Sequence, residues 1–275
     1  MSRLPSLFVS HGSPTFAIEP GIAGPALSAL GQRLPRPKAV LVVSPHWMTR
    51  EARVGTSALP PTIHDFGGFP PALYQLTYPV SGHPAQAARA LEVLRVAGWA
   101  AEADGERGLD HGAWVPMMYL FPQVDVPVFQ VSLPARLDGE KAYAYGQALA
   151  PLADEGVLIV GSGSLTHNLY EVRFDDPRGE GEAYATEFAG WMHQTLQARD
   201  HERLQQTMAL APHAHRAHPT PEHLWPLMVA AGAAGAEAPA VHIAGGMTHG
   251  VLSMDAFLFG AVKETGAESI QAAAA

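Results

Sequence analysis

"KAVLVVSPHWMT", residues 38–49, decides how this chain is read. Its unbroken apolar run, with three valines, suits a strand covered on both faces, the pattern of a parallel sheet. The run stops at Ser-Pro-His-Trp, so it delivers His46 where the strand leaves the core. "LPSLFVSHGSPT", residues 4–15, does the same with His11. Further short apolar runs fall at residues 126–131, 157–160 and 240–244. Between them, residues 84–97, 139–153, 181–203 and 221–233 read as helices, with Pro84 and Pro221 placed for a first helical turn. Strands alternating with helices predict an α/β fold, with a central, mostly parallel or mixed sheet flanked by helices. We see no repeat and no linker, and read residues 1–263 as one domain. Residues 264–275, which end in four alanines, read as a frayed tail.

The formal charge of −9 has no basic cluster set against it, which argues against nucleic acid and anionic membranes as partners. No apolar stretch approaches the roughly 18 residues of a membrane span, and no leader is evident, so the expected location is the cytoplasm. The chain has no cysteine, which removes disulfides, thiolate ligands, iron–sulfur clusters and thiol catalysis together. Any metal must rest on histidine, carboxylate or water.

The 14 histidines are therefore the chemistry-bearing residues. His11 and His46 each follow a strand-like run, and His167 follows the run at 157–160. Carboxyl ends of parallel strands share one rim, where open α/β folds bind ligands. A single histidine after a strand is more often a loop cap. Three together favour at least two of them ligating one metal, since neutral imidazole is the commonest nitrogen ligand. His193 and His201 read as part of a solvated helix face, His83 as a cap or surface residue, and His242 as a satisfied core histidine. The residues alone do not choose among His213, His215, His218 and His223. "GSGSLTH" lacks the third glycine of a dinucleotide fingerprint and is not a nucleophile elbow. Its small residues are read as a sharp turn that aims His167 inward. Residues 56–84, rich in Pro, Gly and aromatics, read as an ordered loop packed over the site.

Six motifs in order, "SHGSP", "SPHW", "IHDFGGFP", "LDHGAW", "GSGSLTHN" and "HPTPEHLWPL", make the sequence resemble the class III extradiol ring-cleaving dioxygenases. Specifically, it resembles their 4,5-DOPA dioxygenase-like branch. The resemblance implies one Fe(II) per chain and cleavage of a catechol ring by O2 beside its two hydroxyls. Carried over motif by motif, it implies His11, His46 and His223 as metal ligands, His167 as an acid/base, and His111 of "LDHG" as a histidine near the oxygen site. In the wider superfamily the third ligand is commonly a glutamate, and Glu222 stands beside His223. His64, Asp65, Phe66 and Phe69 of the 56–84 loop are read as a wall over the aromatic substrate.

The chemistry explains these residue types. A catechol binds through two oxygens and O2 needs a further position, so the protein supplies three ligands and leaves one face open. Histidine suits the proton transfers because its ordinary pKa of about 6.5 lies near neutrality. Zn(II) would enter the same imidazoles readily, so a zinc hydrolase is the alternative enzyme. A non-catalytic metal-binding protein ranks lower, because it leaves His111 and "DHGAW" without a task.

Overall fold

The computed structural model describes residues 3–175 and 181–261, so the tail expected at 264–275 lies outside the described residues. Ten strands are present among them: β1 Ser6–Ser10, β2 Ala39–Thr49, β3 Ala52–Gly55, β4 Ala101–Asp104, β5 Val128–Pro134, β6 Val157–Gly163, β7 Ala240–Ile243, β8 Met247–Thr248, β9 Leu252–Ser253 and β10 Ala256–Phe259. The α-helices are α1 Ala23–Arg33, α2 Pro84–Val96, α3 His111–Leu120, α4 Gly139–Leu149, α5 Pro151–Asp154, α6 Ala183–Gln197, α7 His201–Gln205, α8 Thr207–Leu210, α9 Ala214–Ala217 and α10 Trp225–Ala234. Eight strands form one mixed sheet in the order β4-β3-β5-β2-β6-β1-β10-β7. Its centre is parallel, with β5, β2, β6 and β1 running together, while β10 pairs antiparallel to β1.

The parallel centre follows from composition. Every residue of β1, β5 and β6 is buried, and apolar cores lie on both faces of the sheet. Helix α10 is apolar all round and buried along nearly its whole length, as expected of a helix enclosed within a core. Because the central strands are parallel, their carboxyl ends share a rim, and β1 and β6 reach it at Ser10 and Gly163.

Two strands depart from the sequence reading. β2 does not stop at residue 43 but continues through His46 to Thr49, and its pairing with β5 shifts register between Ser44 and Met48. His46 therefore sits on an irregularity inside a strand, a device that re-aims a side chain. β7 forms as expected but is the sheet's edge, with Val241 half-exposed. Its apolar pattern does not signal cover on both faces.

The 56–84 segment is ordered, as its composition suggests. The Ile63 amide donates to the Leu109 carbonyl at 2.8 Å, and Trp114 Nε1 donates to the Ile63 carbonyl at 3.0 Å. The buried Tyr78 hydroxyl donates to the Phe121 carbonyl at 2.9 Å. These bonds fasten the segment to α3, the helix that begins at His111.

Candidate active site and metal centre

His11 enters the site directly after β1, His46 from the irregular end of β2, and His223 from the 3₁₀ turn Pro221–His223 ahead of α10. One ligand nitrogen from each lies within 4.8 Å of the others. The Nε2 atoms of His11 and His46 are 3.1 Å apart, which suits neighbouring ligands on one ion at about 2.0–2.1 Å from each nitrogen. His11 and His223 are buried and His46 is half-buried.

Hydrogen bonds leave the right nitrogens free. The Ser162 hydroxyl donates to the Gly112 carbonyl, so it accepts from His11 Nδ1 at 3.0 Å. His223 Nδ1 lies 3.0 Å from Glu222 Oε1, to which it donates. Both assignments leave Nε2 with its lone pair, as second-sphere partners of ligating histidines do. Glu222 is thus the hydrogen-bond partner of the His223 ring.

Electrostatics agree with neutral ligands. Burial, reinforced by repulsion from the neighbouring imidazoles, pushes His11 and His223 well below the ordinary histidine range. Burial lowers His46 to about 4, aided by His111 and opposed by Asp110, Asp65 and Glu222. A crowded set of imidazoles that resists protonation is matched to a cation.

The remaining expected residues surround this centre. His167 lies beyond β6 with its ring stacked on His223, centroids 3.5 Å apart, and burial lowers it to about 4. The His111 ring is 4.0 Å from that of His46 and 5.3 Å from that of His11. Its Nδ1 donates to Asp65 Oδ2 at 3.0 Å, and its amide donates to Asp65 Oδ1 at 2.8 Å. Burial alone would raise Asp65, but these bonds prevail and bring it to about 2. Asp65 is thus committed to His111. His64 Nε2 donates to the Leu76 carbonyl at 2.9 Å within its own loop. Phe66 stands edge-on to His111 at 5.7 Å, and Phe69 stands edge-on to Phe66 at 5.6 Å.

Among the histidines left open, the structure places His223 in the cluster and sends the others elsewhere. His218 is buried and donates to the Leu165 carbonyl, His213 pairs with Glu187, and His215 is exposed. His83 caps α2, accepting from the Gln86 amide, as a residue before a helix-opening proline can. His242 is not a core histidine: it lies exposed on edge strand β7 and pairs with Asp255. His193 is half-buried against the same carboxylate, not on a solvated face.

The role of "GSG" also differs from expectation. Gly161 and Gly163 lie within β6 and make no positive-φ turn. A Cβ on either would strike the backbone of Pro226 or His223, so the glycines let the His223 turn press against the strand. Gly112 plays a similar part, since a Cβ there would meet Ser44 Oγ and approach the His46 ring. Residues that sequence reasoning missed include buried Asp110, which caps α3 and is bracketed by Gln130. Arg107 donates to the His46 carbonyl at 3.0 Å and bridges that network to the site. The one available signal was Asp110 itself, the acidic residue directly before His111 in "LDHG".

A sheet rim carrying a neutral three-imidazole cluster, with two further histidines beside it, has the donor set of a metal-dependent oxygenase. The family model for the catalytic LigB subunit of aromatic ring-opening dioxygenase matches residues 7–252, and the chain belongs to that family. The chain is 40% identical over 259 residues to 4,5-DOPA dioxygenase extradiol of Beta vulgaris, covering 92% of this chain and 96% of the relative. It is 37% identical over 258 residues to the protein of that name from Escherichia coli K12, covering 92% and 93%. The crystal structure of an uncharacterized protein from Escherichia coli K12 superposes with a TM-score of 0.77 at 30% identity, covering 94% of this chain and all of that one. The enzyme is an extradiol aromatic ring-cleaving dioxygenase, and its rim carries a histidine cluster that could hold a metal ion.

Proposed function

We propose that this enzyme opens a DOPA-like catechol with O2 at a single Fe(II) held by His11, His46 and His223. The observation that carries the reading is the convergence of these three imidazoles, with the Nδ1 atoms of His11 and His223 engaged by Ser162 and Glu222. The donor set fits: three neutral nitrogens suit Fe(II) and leave positions for two catechol oxygens and O2. The names of the relatives favour DOPA as the substrate type. When bound, Fe(II) supplies the electron exchange between catechol and O2 that the side chains cannot.

The side chains supply the proton transfers and the walls. His111 is oriented by Asp65 through Nδ1, so its Nε2 is the atom free to take or return a proton. His167, held against His223 and kept neutral by burial, is a base for the second catechol hydroxyl and afterwards a proton donor. Phe66, edge-on to His111, forms part of the apolar wall beside the ring. Phe69 extends that wall, and His64 props the loop through Leu76. Asp65 acts through His111 as a positioning residue. Among the described residues no helix is long and apolar enough to cross a membrane.

The test is anaerobic loading of the metal-free enzyme with Fe(II) or Zn(II), followed by a series of catechols and then O2. Oxygen uptake with formation of a ring-opened semialdehyde only in the iron form is expected, with DOPA among the best substrates. Oxygen-independent hydrolysis by the zinc form, and no ring opening with iron, would overturn the reading.

A further inference from the structure

The ring-opening site leaves one cluster of metal-ligating side chains unexplained. His193 lies on α6, His242 on the edge strand β7, and Asp255 immediately before β10. His193 Nε2 is 3.0 Å from Asp255 Oδ2, and His242 Nε2 is 3.3 Å from the same oxygen. Ligand atoms of all three lie within 4.8 Å of one another. The two imidazole rings are 4.1 Å apart between centroids, and the Phe257 ring backs both, at 5.3 Å and 5.4 Å. The side chains are 27%, 33% and 12% exposed, so the cluster is anchored on one side and open to solvent on the other.

We propose that His193, His242 and Asp255 form a second metal site, separate from the ring-opening centre, which binds a borderline divalent transition ion such as Zn(II).

A carboxylate offers two oxygens and about four lone-pair directions, enough to receive two histidines on separate atoms. Here both imidazoles aim Nε2 at one oxygen, while the other, Oδ1, accepts from the Gly245 amide at 2.8 Å. That division is the one a metal ligand needs: one oxygen held by the protein, the other turned toward a shared point with two nitrogens.

The Ser10 hydroxyl donates to the Asp255 carbonyl at 2.7 Å, which pins the carboxylate's backbone to β1. Burial would raise the Asp255 carboxyl, but hydrogen bonds from His193, His242 and Gly245 outweigh it and hold the carboxyl well below the usual range. It stays ionised and available to a cation. Two nitrogens and one oxygen select zinc, cobalt or nickel over calcium and magnesium, which require oxygen ligands. Water would complete the coordination from the exposed side. An ion there would join α6 and the edge strand β7 to β10, which is hydrogen-bonded to β1, the strand that leads into His11.

Zinc per chain is measured by elemental analysis after zinc loading and desalting, in wild type, His242→Ala and His193→Gln. Two zinc ions per chain are expected in wild type and one in each variant. Zinc added to the His46→Ala protein should still raise its Tm, and should no longer do so in His46→Ala/His242→Ala. A single zinc in wild type would overturn the proposal. So would His242→Ala and His193→Gln proteins that both bind as much zinc as wild type. Either variant suffices if the other fails to fold, and circular dichroism identifies that case.

Discussion

The two three-donor clusters differ in where the sheet puts them. His11 and His46 come from β1 and β2, which flank β6 in the parallel centre, and His223 from a turn pressed against β6, so the rim cluster is enclosed. His193, His242 and Asp255 gather at the far edge, where β7 has a neighbour on one side only. Burial lowers the pKa of the rim imidazoles and so favours their neutral form. The edge cluster is partly open to solvent and includes a carboxylate. On the two proposals made above, similar donor counts serve different ends: reaction at the centre, binding at the edge.

The comparison breaks first if the rim is not the seat of catalysis. His11→Ala or His46→Ala should release the iron and abolish oxygen uptake, a larger loss than any acid/base substitution produces. Iron per chain measured with oxygen uptake checks this, and full iron occupancy in either variant would count against the rim. His167→Gln separates a proton carrier from a ligand. Turnover should drop by about 10²- to 10⁴-fold while iron content and catechol binding persist. Retained turnover would remove its acid/base role.

A smaller effect is expected at Asp65, which touches His111 and is 3.6 Å from His46 Nδ1. Asp65→Asn should lower kcat by about 10- to 100-fold through misorientation of His111, the range typical of lost outer-sphere partners. Its pH–rate profile should change shape, which a purely structural fault would not produce.

The smallest effect belongs to the edge, in metal-free protein. Asp255→Asn weakens two charge-assisted hydrogen bonds and should cost about 1–3 kcal/mol of stability. Because the Asp255 carboxyl is depressed in the folded state, its contribution is present above the unfolded carboxyl pKa of about 3.9 and fades as pH falls below it. Urea midpoints of wild type and variant should stay apart at neutral pH and converge in acid. A gap that widened in acid would contradict the assignment.

Much of the rim was legible because it is built from contiguous signals. The apolar runs ending in "SHG" and "SPHW" encode strand, burial and ligand within a few residues. The apolar run at 157–160 marks the next strand, with His167 past its end, whereas "GSG", which reads as a turn, lies within that strand. The parallel direction of the central strands, which brings these ends together, follows from their two-sided burial. The edge cluster was not legible, since His193, His242 and Asp255 come from a helix, a strand and a strand entry whose association is tertiary. β3 and β4 escaped for a different reason: "ARVG" and "AEAD" are short, and "AEAD" is half polar, so neither carries the apolar run of a core strand. Helix α3 was hidden behind Pro116, which sits inside it.

The central claim is that three imidazoles, with His223 and not Glu222 as the third, hold the reacting metal. The direct test is iron per chain and oxygen uptake on DOPA in His223→Ala and Glu222→Gln, side by side. His223→Ala should lose both iron and turnover, while Glu222→Gln should retain iron and part of its turnover, since Gln can still accept from His223 Nδ1. Iron lost from Glu222→Gln but kept in His223→Ala would contradict the account.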